Sequence, residues 1–261
     1  MSKPFLATLL DAATDAYRPA GKFSYHFARG KLGGDPIFRN LLQQGLIPSG
    51  VRILDLGCGQ AVFAAWLLAA RRLHDAGRWP ADWAEAPRVA SLRGIELMPR
   101  DVARAHQALG ANHSVARIEA GDICTSEFGA ADVVTILDVL HYLDYPAQDD
   151  VLRRVRAALA PGGRLITRIG DADGGLPFHI SNWVDHAVTF IRGHRLPRLY
   201  CRPLRAWRTR LEELGFTVTS QPMSEGKPFA NVMLVASLPR TVDAAAATTS
   251  GDRLRPVGAI C

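Results

Sequence analysis

The chain lacks long apolar runs, and its few cysteines show no pairing pattern. Although 48% of the 261 residues are apolar, no run approaches the about 18 residues that cross a bilayer. The apolar stretch from Phe5 to Leu10 ends at Asp11, so we expect neither a signal peptide nor membrane insertion. The four cysteines have neither disulfide nor metal-ligand spacing. The pattern therefore predicts reduced thiols, no metal site and a cytoplasmic location.

What the sequence does contain is a strand, a glycine turn and a helix start within Ile53–Trp66. The apolar run ILDL includes Asp55, and Gly57 and Gly59 follow before a helical pattern begins. Glycines allow a positive φ and bring bare N–H groups close to a ligand, while the start of a helix adds partial positive charge. This arrangement indicates a site for a nucleotide-like cofactor.

Strands and helices continue to alternate after this turn. The segments LRGIEL, RIEAGDI, ADVVTILDVLHYL and RLITRI read as four further strands, and FTVTS and ANVMLVASL complete the series. We expect an α/β, Rossmann-like fold with helices on both faces of a seven-stranded, mostly parallel sheet whose last strand is antiparallel. Ligands bind outside the carboxyl ends of such strands, where Glu96, Asp122 and Asp138 fall.

In this order, the motifs resemble those of class I S-adenosylmethionine-dependent methyltransferases over roughly Pro48 to Leu238. The resemblance implies that S-adenosylmethionine is the cofactor. It also implies the contacts: Asp55, Gly57, Cys58 and Gly59 around the methionine part, Glu96 with Leu97 at the ribose, Asp122 with Ile123 at the adenine, and Asp138 at the methionine amine or a bound water. We expect Cys58 to be a small wall of this site and not a nucleophile.

Two other classes use a similar strand and turn. A dinucleotide-binding dehydrogenase requires G-x-G-x-x-G, but Val62 stands where its third glycine would be and Asp55 precedes the turn. The third glycine usual in the methyltransferase motif is Ala61, so we expect the helix to approach less closely. An inactive cofactor-binding relative stays open as an alternative.

Residues 71–91 read as an insertion. Asp55 and Glu96 lie 41 residues apart, against about 20 in the comparable dinucleotide fingerprint, and prolines and glycine break any continuous helix in between. We interpret this segment as a surface loop with Trp79 and Trp83 packed back on the domain. Contact with a partner is the alternative.

The main domain is predicted to cover residues 48–238, and the sequence indicates three further parts. Residues 1–47 are predicted to form an N-terminal helical lid, with one helix near Phe5–Ala13 and another that starts at Asp35 and Pro36. The resemblance implies that the KFSYHFARGK stretch between them gives aromatic walls and a cation to the cofactor. Alternatively, its aromatics are core and its cations are solvated. Residues 174–202, after the fifth strand, predict a lid insertion that shapes the acceptor pocket, and residues 239–261 predict a disordered tail.

The chemistry suggests a histidine near the acceptor. Methyl transfer needs donor and acceptor aligned within about 3–3.5 Å, and a phenolic nucleophile also benefits from a base near neutrality. His141, just after the fourth strand, is the first candidate, and His179 and His26 follow. His141 could instead be a helix-start residue bonded to the backbone. We expect a small hydroxylated aromatic acceptor, methylated on oxygen or on a ring carbon.

Several acceptor classes are disfavoured because their motifs are missing. LDVLHY replaces the Asn/Asp-Pro-Pro-aromatic motif of enzymes that methylate base amines, and no cysteine follows a proline, as cytosine ring methylation requires. The arginines of the Arg192–Arg210 segment would attract an anion. This anion could be an acidic acyl carrier protein that presents the acceptor, or RNA, which makes an RNA methyltransferase or RNA-binding relative the alternative. A solvated helix face is the third interpretation.

A second, shorter resemblance favours the carrier protein. YHFARGKL in the N-terminal segment and the later YCRPL are similar to stretches of methyltransferases that accompany aryl-polyene pigment biosynthesis. This resemblance implies secondary metabolism and an aromatic head group as the acceptor.

Overall fold

A computed structural model of the chain describes residues 3–173, 199–223 and 231–240. The helices are α1 (Lys3–Thr14), α2 (Lys22–Gly34), α3 (Pro36–Gln43), α4 (Val62–Asp75), α5 (Pro99–Leu109), α6 (Tyr145–Ala158) and α7 (Leu204–Glu213). The strands are β1 (Arg52–Leu56), β2 (Ser91–Glu96), β3 (Ala116–Ala120), β4 (Ala131–Leu137), β5 (Leu159–Gly170), β6 (Thr217–Pro222) and β7 (Asn231–Ser237). Short 3₁₀ helices lie at Asp15–Tyr17, Gly110–Ser114 and Leu140–Tyr142. Within these ranges, no helix is long and apolar enough to cross a membrane.

The strands form one seven-stranded sheet in the order β3-β2-β1-β4-β5-β7-β6. β1 pairs in parallel with β2 and β4, and β7 runs antiparallel to both of its neighbours, β5 and β6. This confirms the predicted mostly parallel sheet with an antiparallel last strand. Because the chain order reverses between β1 and β4, the ligand crevice of an open α/β sheet is expected there, at the carboxyl ends of the strands.

Helices cover both faces of the sheet, as predicted. On one face, α6 and α7 bury the apolar residues Val151, Leu152, Val155, Trp207 and Leu211. On the other face, α4 is buried nearly all round. A helix that is apolar on every side must be covered on its outer side as well, and here α1 and α2 pack against it, while α3 accepts a hydrogen bond from Trp66.

The predicted helices at Phe5–Ala13 and at Asp35–Pro36 are both present. The Asp35 carboxylate accepts a hydrogen bond from the backbone N–H of Ile37 at 3.2 Å, so it caps α3 with Pro36 in the first turn. The sequence pattern missed α2. Its buried stripe of Ser24, Ala28 and Leu32 is mostly small, so its apolar periodicity is weak, although these residues still pack against its neighbours.

The predicted inserted loop of residues 71–91 is shorter in the structure, because residues 71–75 form the end of α4 and Ser91 begins β2. The residues between them pack back on the domain, as expected. The rings of Trp79 and Trp83 meet edge to face at 5.6 Å, and Phe5 of α1 contacts them at 5.4 and 5.3 Å. The Trp79 indole N–H donates to the carbonyl of Ala84 at 2.8 Å. The insertion and α1 therefore form one aromatic cluster.

We expect Trp66→Phe to lower the free energy of unfolding by about 1 kcal/mol more than Trp207→Phe does. Both indoles are buried, at 1% and 2% exposure, but only the Trp66 N–H donates a hydrogen bond in the described part of the chain, at 2.9 Å to the carbonyl of Phe38. This bond joins α4 to α3. Urea unfolding of the two variants measures the difference, and equal losses would contradict a role for this bond.

Candidate functional site

The glycine turn after β1 is held in a left-handed conformation. Gly57 and Gly59 have φ values of +72° and +57°, and Ala61 has +59°. The backbone N–H groups of Gly57 and Cys58 both donate to the carbonyl of Ile95 on β2, at 2.8 and 3.2 Å. Ala61 thus adopts a backbone conformation that favours glycine, and the turn keeps its shape without the third glycine.

Glu96 fixes the turn from the neighbouring strand. Its carboxylate accepts hydrogen bonds from the backbone N–H groups of Gly59 at 2.8 Å and of Met98 at 2.9 Å. A Cβ added at Gly59 would meet nothing within 4 Å, so open space lies beside the turn. Leu97 follows with 61% of its surface exposed, which leaves an apolar surface on the rim of this space.

Asp55 is the second carboxylate of the crevice, and it lies deeper. Only 3% of its surface is exposed, and it accepts a hydrogen bond from the Thr135 hydroxyl at 2.6 Å. Burial raises the pKa of Asp55 to about 7; the Thr135 hydrogen bond opposes this rise, and the negative charge of Glu96 adds to it. Asp55 can therefore exchange a proton near neutral pH.

These residues fit a cationic cofactor. In the part of the chain that the structure describes, neither Asp55 nor Glu96 forms a salt bridge with a lysine or arginine, although both are buried. Buried carboxylates without a cation are costly, and a positively charged ligand in the crevice would lower this cost. The turn, the two carboxylates and exposed Leu97 suit the expected S-adenosylmethionine, whose sulfonium and ammonium groups are cationic.

The other residues predicted to contact the cofactor lie around the same crevice. Asp122 is exposed after β3 and accepts a hydrogen bond from the backbone N–H of Cys124 at 2.8 Å, while Ile123 is buried. The Cys58 side chain is buried against β2, and burial raises its pKa well above the usual thiol range. A neutral buried thiol is a poor nucleophile, in agreement with its expected role as a wall.

Asp138 takes part in a group of four charged side chains, which we call the ion cluster: Lys31, Asp35, Asp138 and Arg168. The Lys31 ammonium lies 2.6 Å from Asp138 and 3.1 Å from Asp35. Arg168 binds Asp138 through two nitrogens, with its Nε at 2.5 Å, and also contacts Asp35. Both carboxylates thus carry two cations each, and the cluster is neutral overall.

The ion cluster determines how Asp138 behaves. Burial alone would raise its pKa, but the positive charges of Arg168 and Lys31 outweigh burial and hold the pKa well below its usual range. Its φ of +59° is a left-handed conformation that few residues other than glycine and asparagine or aspartate adopt. Both oxygens of Asp138 already bind cations of the protein. The expected contact of Asp138 with the cofactor amine stays a prediction.

The three histidines proposed as bases have different surroundings. His141 is buried in the 3₁₀ helix after β4, with its ring 4.1 Å from that of Tyr142. Burial, together with the charges of Arg168 and Lys31, lowers its pKa to about 4, although Asp138 opposes this. It is therefore neutral at pH 7. His26 is exposed on α2 beside Tyr25, and His179 lies outside the described residues.

The sequence reasoning missed Arg168 and left Lys31 as a lid cation with a solvated alternative. The missed signal was the second arginine of RLITRI, a charge within an apolar strand. A buried charge needs a partner of opposite sign, which could have drawn attention to the acids at the strand ends. Tyr17 was also missed; its buried hydroxyl donates to the carbonyl of Gln60 in the glycine turn at 2.7 Å.

Four arginines of the Arg192–Arg210 segment lie in the described part, and acids pair with all of them. Arg202 and Arg210 lie 2.9 and 3.1 Å from Asp149. Arg205 and Arg208 lie 3.7 and 3.5 Å from Asp173 and Glu212. The positive charge of this part is thus largely compensated. The remaining arginines, Arg192, Arg195 and Arg198, lie outside the described residues, as do most of the predicted acceptor-pocket insertion and the tail beyond Arg240.

Comparison with known proteins places this geometry in a family. A model described as a methyltransferase domain matches residues 26–221. Two curated relatives come from Chromohalobacter salexigens. A carboxy-S-adenosyl-L-methionine synthase is 33% identical over 45% of this chain and 39% of its own length. A ribosomal RNA small subunit methyltransferase C is 26% identical over 59% of this chain and 41% of its own length. The chain thus spans about two fifths of these relatives.

Two solved structures share the fold. An O-methyltransferase family protein from Burkholderia thailandensis matches with a TM-score of 0.59 at 17% identity, over 86% of this chain and 62% of the other. The magnesium protoporphyrin IX methyltransferase of Synechocystis, solved with bound S-adenosylhomocysteine (SAH), matches with a TM-score of 0.56 at 17% identity, over 89% and 98% of the two chains. At such identity the likeness shows the fold alone.

We expect Gly57→Ala to destabilise the protein more than Gly59→Ala. Both glycines have a positive φ, so each alanine costs about 1 kcal/mol in backbone strain. A Cβ at Gly57 would also lie 2.4 Å from a methyl group of Val139, whereas one at Gly59 would meet nothing within 4 Å. Thermal and urea unfolding measure the difference, and similar losses in both variants would argue against the close approach at Gly57.

We expect Asp55 to lower the free energy of unfolding as pH rises between about pH 4 and pH 7, and Asp55→Asn to remove this contribution. The native carboxyl keeps its proton up to about pH 7, whereas the unfolded one loses it near pH 3.9, so this group binds more protons in the native state. Buried His141, whose pKa is lowered, acts in the opposite direction in both proteins, so the difference between the two slopes reports Asp55. Urea unfolding at pH 5 and pH 8 measures the slope.

Asp132→Asn is the matched control for this pH dependence. Asp132 pairs with Arg52, which lowers its pKa, so it is ionised in both the native and the unfolded state above pH 5. This variant should keep the slope of the parent between pH 5 and pH 8. An unchanged slope in Asp55→Asn would refute the assignment of this proton to Asp55.

Proposed function

The chain belongs to the methyltransferase-domain family, and from this premise we propose that it methylates a small hydroxylated aromatic acceptor on oxygen or on a ring carbon. Its cofactor is S-adenosylmethionine, and it is an enzyme of the methyl-transferring class. The observation that carries the proposal is the crevice itself, where two buried carboxylates that pair with no lysine or arginine of the described residues flank a glycine turn.

The cofactor supplies an electrophilic methyl group on a positively charged sulfur when it is bound. The chain's own part is to hold the cofactor and the acceptor in line. Glu96 is fixed by two backbone N–H groups on the turn and on the start of α5, so its position is set before any ligand binds. Asp55 adds negative charge at the base of the crevice, where it favours a cation.

The surroundings of His141 favour a phenolic acceptor over an aliphatic alcohol. Oxygen methylation releases the hydroxyl proton, which a neutral histidine can accept. With its pKa lowered to about 4, His141 is a weak base, and a weak base suits an acceptor whose proton leaves easily. A phenol, with a pKa of about 10, meets this requirement better than an alkyl alcohol does.

We also propose that an acidic carrier protein of pigment biosynthesis presents the acceptor to the enzyme. This proposal is supported by the short resemblance of YHFARGKL, at residues 25–32, to the aryl-polyene enzymes. An acidic carrier would approach the exposed arginines of the Arg192–Arg210 segment. Of the described arginines on α7, Arg205 is the most accessible: 81% of its side chain is exposed, and its ion pair with Asp173 is long, at 3.7 Å.

RNA methylation is the alternative function. It is favoured by the relative named as a ribosomal RNA methyltransferase and by the net charge of +6. Against it, each of the four described arginines between Arg202 and Arg210 pairs with a carboxylate. RNA binding needs cations that are available to phosphates and would weaken steeply with added salt. The pairing thus favours the small acceptor.

The first test is calorimetric titration with S-adenosylmethionine and SAH. We expect the parent protein to bind both, and Glu96→Gln to weaken binding by about tenfold or more, because a hydrogen bond to a charged group contributes about 1.5–3 kcal/mol. The control is Glu119→Gln. Glu119 lies on β3 and pairs with Arg93 and Arg117 at 2.9 and 3.1 Å, and its removal should leave affinity unchanged.

The acceptor is tested next, with hydroxylated aromatic acids that are free or attached to a carrier protein, and with ribosomal RNA, in a radioactive methyl-transfer assay. Transfer to the aromatic acids supports the proposal. Transfer to RNA alone would replace it with the alternative, and a folded protein that binds no cofactor would overturn the enzyme assignment as well.

A further inference from the structure

We propose that Gln148 is a positioning residue that holds His141 in place to accept the proton of the acceptor hydroxyl. Gln148 lies in the first turn of α6 and is completely buried. Its side chain binds the backbone that carries His141, and it would act on the reaction through this backbone. The inference rests on the proposed function, because it takes His141 to be the base for a phenolic acceptor.

The side-chain amide of Gln148 binds both ends of the 3₁₀ helix after β4. Its Nε2 donates to the carbonyls of Leu140 and Leu143, each at 3.0 Å. Leu140 begins the 3₁₀ helix and Leu143 follows its last residue, so His141 lies between the two bonded carbonyls. A 3₁₀ helix of a single turn has few hydrogen bonds of its own. The position of His141 therefore depends on a side chain from outside that turn.

The same amide joins this 3₁₀ helix to the segment before α7. Its Nε2 also donates to the carbonyl of Tyr200 at 2.8 Å, and the Tyr200 backbone N–H donates to the carbonyl of His141 at 2.8 Å. The amide has two hydrogens for three carbonyls, so two of the carbonyls share one hydrogen. Gln148 thus holds the backbones of His141 and Tyr200 against each other.

Arg202 fixes the orientation of the Gln148 amide. The Arg202 Nε donates to the Gln148 Oε1 at 2.9 Å. If the amide turned over, its NH₂ group would face a cation and its oxygen would face carbonyls. Arg202 is itself held by the carbonyl of Tyr145 at 3.0 Å and by Asp149 at 2.9 Å, with 15% of its side chain exposed. The amide therefore has one favourable orientation, in which its nitrogen and its oxygen are both used.

This arrangement matters for a base because proton transfer depends on distance. A base must lie within about 2.6–3.2 Å of the atom that gives the proton, and an error of about 1 Å can cost on the order of a hundredfold in rate. Without the Gln148 amide, the bonded carbonyls would turn towards water, because an interior carbonyl without a donor is unfavourable. The 3₁₀ turn would loosen, and water would reach the ring of His141.

NMR titration of the protein without ligand tests this role. We expect Gln148→Met, which keeps a long side chain but has no amide, to raise the pKa of His141 from about 4 to roughly 5–6, because water would replace part of the burial that lowers it. The charged groups that act on this ring, Asp138, Arg168 and Lys31, are not substituted. His141→Gln identifies the ring signal among the eight histidines.

Trp66→Phe is the matched control. It also removes a buried side-chain hydrogen bond to a backbone carbonyl, but Trp66 lies in α4, on the other face of the sheet from α6. This variant should be less stable than the parent and keep the parent's pKa of His141. If Gln148→Met likewise loses stability and keeps that pKa, Gln148 acts in folding alone and the proposal is wrong.

Arg202→Met is the second variant, in case Gln148→Met does not fold. It keeps the donors of Gln148 but allows the amide to turn. We expect a smaller rise in the pKa of His141 than in Gln148→Met, and an unchanged pKa in a folded Arg202→Met would overturn the proposal.

Methyl transfer to hydroxylated aromatic acids gives a second readout. Gln148→Met should lower kcat about tenfold or more without weakening SAH binding, because Asp55 and Glu96 remain. Its rate should also fall more steeply than the parent's from pH 7 to pH 5, since a His141 with a raised pKa loses its neutral form there. An unchanged kcat would overturn the proposal and leave the cofactor site intact, whereas a parent that binds no SAH would overturn the proposed function.

Discussion

Arg168 carries a positive charge to the end of a strand inside the sheet, and the arrangement around the crevice depends on how that charge is compensated. One of its partners, Asp35, caps α3, and the other, Asp138, follows β4. The guanidinium therefore joins three elements that are far apart in the chain. An arginine stays charged at any ordinary pH, so both carboxylates must stay beside it. This requirement holds the N-terminal helices at the carboxyl ends of the strands.

Two pairs of carboxylates lie around the crevice, and they differ in their charge partners. Asp35 and Asp138 are neutralised by cations of the protein, while Asp55 and Glu96 are not paired with cations in the described part of the chain. A cationic ligand is therefore attracted to one side of β1 and not to the other. The neutral His141 lies near the compensated pair, where burial and the positive charges of Arg168 and Lys31 oppose its protonation.

Much of the fold and part of the site could be predicted from the sequence. The mostly parallel sheet follows from the alternation of strands and helices, and Asp55, Gly57, Gly59 and Glu96 lie together because a local turn and a neighbouring strand end bring them together. The ion cluster could not be predicted, because Lys31 and Asp138 are 107 residues apart and nothing local specifies their pairing. Helix α2 was missed for a related reason: its conformation depends on tertiary contacts more than on its own apolar pattern.

The aromatic cluster of Phe5, Trp79 and Trp83 has a consequence for how this domain can be rearranged. It binds α1 to an insertion that lies between α4 and β2, and Trp66 binds α3 to α4 from the other side. The N-terminal segment therefore cannot be exchanged alone between related domains. Its inner surface is complementary to residues 71–91 and to α4, and all three parts would have to be exchanged together.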